Sequence, residues 1–110
     1  MIFHHFGLAT NNRKKSEIFL IKSGYKKVSS FLEKKQKVKL SFFKSRGKPT
    51  IEVITPLTKN SPINSYLKKF DAIFYHMCFE IKKKLDVKKF CNYNNAICVV
   101  EPYASTVFKR

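Results

Sequence analysis

Apolar and polar positions alternate along IFYHMCFEI, residues 73–81, as in a strand with two different sides. A period of two sets Ile73, Tyr75, Met77, Phe79 and Ile81 on one face and Phe74, His76, Cys78 and Glu80 on the other. The N-terminal IFHHFGLA, residues 2–9, reads the same way, with Phe6 and Leu8 opposed to Phe3, His5, Gly7 and Ala9. In residues 37–43 Val38, Leu40 and Phe42 point inward while Lys39 and Ser41 point outward. In TIEVIT, residues 50–55, Ile51 and Val53 share a face and Glu52 takes the other. Residues 25–32 supply one more strand before the charged turn Glu33-Lys34-Lys35, and a second turn covers residues 44–49.

Helical signals punctuate these strands. The Asn11-Asn12 pair can cap a helix over residues 13–23, whose apolar residues are Ile18, Phe19 and Ile21, and Gly24 suits the position that ends it. Ser61 followed by Pro62 marks a second helix start, with Ile63, Leu67 and Phe70 beyond it. After residue 81 come a lysine-rich turn, a helix over residues 85–92 and a strand over 96–100. The order is β-α-β-β-β through residue 57, a connecting helix within 58–72, and a restart at 73–110. This predicts an α+β fold of two copies of one plan, the second lacking its last two strands. His5, Glu52 and His76 each fall on a strand face turned away from the packing side, whereas His4 points toward that side and reads as structural.

Composition bounds this picture without changing it. A chain of 110 residues with 44% hydrophobic content can bury one ordinary core. The odd, scattered cysteines Cys78, Cys91 and Cys98 suit reduced thiols. A Cys78/His76 nucleophilic pair is the functional reading of the first, and a buried structural thiol is the commoner one. No segment reaches the roughly 18–20 apolar residues of a membrane helix, and Met1 leads directly into a strand, so a cytoplasmic protein without membrane contact is expected. Twenty-three Lys and Arg against seven Asp and Glu give a net charge of +16, which favours polyanions of any kind. The lysines of residues 34–39, 44–48 and 82–89 form solvated turns, or else hold the phosphates of an acyl-CoA, a nucleotide-linked sugar or an RNA backbone. Without an aromatic-rich exposed strand, nucleic acid is expected to bind only non-specifically.

HHFGLAT, the helix ending in KSGY, VKLSFF, TIEVITPLTKNSPINSYLKKF and YHMCFEI together resemble the vicinal oxygen chelate superfamily of glyoxalase, bleomycin-resistance and dioxygenase proteins. The likeness is to its methylmalonyl-CoA epimerase and glyoxalase-like members, and residues 51–81 are its most specific part. It implies paired βαβββ modules around a cleft with a divalent metal, Zn, Co, Ni, Mn or Fe, held by His5, Glu52 and His76. It also implies metal-assisted proton transfer next to a carbonyl of a small or CoA-linked substrate, which is isomerase or lyase chemistry. The family's last ligand, a Glu, would lie beyond Arg110, and near Leu40, where some epimerases carry a second carboxylate, the chain has Lys39, Leu40 and Ser41, so the catalytic group stays unassigned. Two other functions stay open: a non-catalytic binding or assembly module of the same fold, and a basic nucleic-acid-binding protein. An open sheet edge in the second module predicts a homodimer in which another copy covers the cleft.

Overall fold

Alternation at the N-terminus produces strand β1 (Ile2–Thr10) in the computed structural model, which describes residues 2–80 together with residues 89, 91 and 92. Helix α1 (Arg13–Lys22) follows, then β2 (Lys26–Glu33), β3 (Val38–Lys44), β4 (Ile51–Pro56), a 3-10 turn (Pro62–Ser65) and β5 (Ala72–Glu80). The strands form one mixed sheet in the order β2-β3-β4-β1-β5, with β1 parallel to β4 and every other pair antiparallel. The fold is therefore α+β: a β-α-β-β-β unit whose sheet β5 extends next to β1.

Local chemistry fixes the entry and exit of α1. Asn12 Oδ1 accepts from the Lys15 amide at 3.0 Å, and Thr10 Oγ1 accepts from both the Asn12 amide at 3.1 Å and Ser16 Oγ at 2.8 Å. At the far end Gly24 adopts φ +96°, and the Tyr25 amide returns to the Leu20 carbonyl at 2.9 Å. The helix packs through Leu20, which joins Tyr25, Phe43, Ile51 and Val53 in one cluster, with Leu8 against it. Ile18, Phe19 and Ile21, the apolar residues that announce the helix in sequence, are solvent-exposed. Four consecutive apolar residues at about 100° each sweep most of the helix circumference, so only one of them can face the sheet.

The other face of the sheet is also covered. Ala9, Val38, Leu40, Ile54, Ile63 and Leu67 pack there, with Ile73 and Tyr75 beside them. The register Phe42↔Glu52 and Leu40↔Ile54 places Val38, Leu40 and Phe42 on the Glu52 side, opposite the helix. Ser41, expected outward, is fully buried on the helix side, with its hydroxyl 3.2 Å from that of Ser30. Beneath the 3-10 turn Ser61 does not cap; its hydroxyl donates to the Gln36 carbonyl at 2.8 Å and ties the turn to the β2–β3 loop. Ile63 and Leu67 roof this end of the face, while Phe70 is exposed.

Two bulges in the β1–β5 ladder change the expected sidedness. Leu8 pairs with Phe74 and Gly7 with His76, which makes Tyr75 an extra residue; Phe3 pairs with Phe79 and His5 with Cys78, which makes His4 another. Past Tyr75 the alternation of β5 shifts by one. His76, Cys78 and Glu80 are half-buried on the side of Ile73 and Tyr75, while Phe74, Met77 and Phe79 are exposed on the other. Among the described residues, that outer side is aromatic: Phe3 lies 4.9 Å from Phe6 and 5.6 Å from Phe79, and Phe6 lies 6.3 Å from Phe74, between ring centroids. Lys89, Cys91 and Asn92 are helical, inside the helix predicted over 85–92; the strand predicted over 96–100 lies outside the described residues. No helix among the described residues is long and apolar enough to cross a membrane.

Candidate metal centre

Three neighbouring strands meet at one level of the sheet around Gly7, which pairs with Glu52 of β4 on one side and His76 of β5 on the other. A Cβ on Gly7 would overlap the His76 ring, so the missing side chain lets that imidazole lie across β1 toward His5. His5 Nε2 stands 3.1 Å from Glu52 Oε1, His76 Nε2 stands 3.4 Å from the same oxygen, and the two Nε2 atoms are 3.4 Å apart. His5 and Glu52 are buried and His76 half-buried, so His76 is the corner of the donor triangle nearest solvent. The three residues that the sequence marks as ligands are brought together. Among the described residues, they form the one His/Cys/Asp/Glu grouping able to hold an ion.

The donor set fits a divalent metal. Ligand atoms bound at about 2.0–2.2 Å in a tetrahedral arrangement stand about 3.3–3.6 Å from one another, close to the spacing seen here. Two imidazoles and a carboxylate suit a borderline ion and leave positions for substrate oxygens. Burial would by itself raise the Glu52 pKa, but hydrogen bonds and charge from His5 and His76 outweigh it and keep the carboxyl below its usual range. Phe42 presents its ring edge-on to His5 at 5.2 Å and lines the site with apolar surface.

Two further residues stand near the triangle. His4, expected on the packing side, lies on the site's side: its Nδ1 is 2.8 Å from His5 Nδ1, its ring 6.1 Å from Phe42, and its Nε2 3.9 Å from Glu80 Oε1. Tyr75 sits against His76 with ring centroids 4.4 Å apart, and burial, then the charge of Glu52, raises its phenol far above the usual value. It stays a neutral hydrogen-bonding group. Alternation sets Tyr75 with Ile73, where it lies, but only the partner strand reveals the two bulges that bring His4 and His76 to the same side. Cys78 shares this side, but burial, then Glu52 and Glu80, raises its pKa, which disfavours the thiolate that a nucleophile requires.

Comparison with known proteins identifies the family and the fold. Residues 4–101 match the family model described as the glyoxalase/bleomycin resistance protein/dioxygenase superfamily. No curated protein sequence matches the chain. Among solved structures, hypothetical protein BH1468 from Bacillus halodurans C-125 superposes with a TM-score of 0.73 at 24% identity, over 83% of this chain and 67% of that one. Methylmalonyl-CoA epimerase from Mycobacterium tuberculosis gives 0.74 at 16% identity, over 84% of this chain and 63% of that one. A Streptomyces coelicolor methylmalonyl-CoA epimerase variant in complex with 2-nitronate-propionyl-CoA gives 0.77 at 16% identity, over 94% and 77%. The chain thus spans roughly two thirds to three quarters of the length of these proteins. At these identities the likeness is one of fold, and the matched family model carries the assignment: the chain belongs to the glyoxalase/bleomycin resistance protein/dioxygenase superfamily.

Proposed function

We propose that the chain binds one divalent metal through His5, Glu52 and His76 and acts on a small-molecule or acyl-CoA substrate, moving a proton at the carbon next to a carbonyl. The triangle of donor atoms, 3.1 to 3.4 Å on a side and supplied by three adjacent strands, carries this reading. A bound Zn, Co, Ni, Mn or Fe ion would supply Lewis-acid polarisation of the substrate oxygen. The chain's own residues hold two imidazoles and a carboxylate in place, and Ile63 and Leu67 keep water from the adjoining apolar cluster. An acyl-CoA is suggested by the epimerases among the structural neighbours and by the net charge of +16, which attracts its phosphates. Within this reading the protein is cytoplasmic and homodimeric, and it meets nucleic acid only non-specifically.

Deuterium incorporation next to the thioester carbonyl of propionyl-CoA or methylmalonyl-CoA in D₂O, with metal-reconstituted protein, tests the proposal. Metal-dependent exchange that is lost in Glu52→Ala supports it. One observation favours a second reading, a binding or assembly module without turnover. The stretch Lys39-Leu40-Ser41, near which the resemblance marks a second carboxylate, contains none, and Leu40 is buried in an apolar cluster. Metal binding without exchange on any acyl-CoA offered would select that module.

A further inference from the structure

We infer that His4 is a positioning residue of the metal centre: by accepting a hydrogen bond from His5 Nδ1 through its own Nδ1, it commits His5 Nε2 to the metal. This rests on the metal reading above and adds a role for a residue outside the ligand set. The bulge at His4 leaves two successive imidazoles on one side of β1, an arrangement that regular alternation forbids. Their Nδ1 atoms are 2.8 Å apart, and the rings meet nearly edge to face, with an interplanar angle of 83°.

Proton placement then follows from valence. His5 Nε2 is the nitrogen facing Glu52 and His76, at 3.1 and 3.4 Å, so in the loaded site it must be bare. A neutral imidazole carries one N–H, which places the His5 proton on Nδ1, pointing at His4. His4 can accept it only with its own proton on Nε2, the atom that lies 3.9 Å from Glu80 Oε1. Glu80, His4 and His5 thus form a line from the rim of the sheet to the ligand triangle. Partners of this kind orient a metal-binding histidine and raise its basicity.

Competition titration of Co²⁺ against a chelator tests the role in wild type, His4→Leu and His4→Asn, with thermal unfolding of the metal-free forms as a fold control. Leucine fills the space without an acceptor and is expected to weaken binding about 10- to 100-fold; asparagine, whose Oδ1 can stand in for Nδ1, is expected to stay within about threefold of wild type. Equal affinity in His4→Leu, or equal losses in both variants, would overturn the role and leave His4 a packing residue. If wild type itself binds no Co²⁺, the metal reading falls, an outcome separate from indifferent variants of a protein that does bind. Should His4→Leu fail to fold, ¹⁵N NMR of Zn²⁺-loaded wild type decides. A His5 proton on Nδ1, coupled across the hydrogen bond to His4 Nδ1, supports the role, and metal on His5 Nδ1 contradicts it.

Discussion

Gly7 controls where the His76 imidazole can lie. Its extended backbone would accept any residue, but a Cβ there would occupy the space of the His76 ring, so alanine must displace the ring or the strand beneath it. Gly7→Ala is expected to cost about 1–3 kcal/mol of stability from overpacking. It should also weaken metal binding at least tenfold; denaturant unfolding and Co²⁺ titration would measure the two effects, and unchanged affinity would contradict the placement of His76. Acid sensitivity is set at the same scale. Glu52 is held below its ordinary pKa, so its stabilisation is present above the unfolded value of 4.5 and is lost as pH falls through the native value. Burial, then the neighbouring His5, also lowers His4, so that its contribution is present above the unfolded value of 6.5 and declines below it. Metal-free protein should therefore lose stability in two stages on acidification, and His4→Asn should remove the upper one. Unfolding midpoints near pH 7.5, 5.5 and 4 check this, and a flat profile would contradict it.

At the scale of elements, the helix and the two bulges mark the limits of the sequence reading. The apolar run of α1 announces a helix but not its buried face, because Ile18 through Ile21 point nearly all round it and Leu20 alone is buried among them. Leu20→Ala is expected to cost about 2–5 kcal/mol, and Phe19→Ser no more than about 0.5 kcal/mol, in chemical denaturation. Equal losses would mean that the helix is rotated. The strands, their order through β4 and the grouping of His5, Glu52 and His76 were legible, since alternation and the quoted motifs both depend on local residue order. The bulges at His4 and Tyr75 were not. A bulge is defined by the register of two strands about seventy residues apart, and it leaves the pattern of either strand unchanged when read alone. The 3-10 turn misled for a related reason: Ser61 meets the Gln36 carbonyl across the fold, and this contact replaces the cap that its local sequence promised.

The whole molecule combines a strongly basic surface with a sheet whose outer strands, among the described residues, are β2 and β5. β5 exposes Phe74, Met77 and Phe79 on its outer side, and β2 exposes Val28 and Leu32. Apolar surface beside strand edges that no other described strand pairs favours association with a second copy. Light scattering is expected to give about twice the chain mass of 12.9 kDa at micromolar concentration, and a stable monomer would rule out the dimer. Elemental analysis of protein purified without chelator is the decisive test of the metal centre. Wild type is expected to carry about one divalent ion per chain, and His5→Ala and His76→Ala close to none while still folded. Metal-free wild type that also fails to take up added Zn²⁺ or Co²⁺, or variants that retain the full complement, would contradict it.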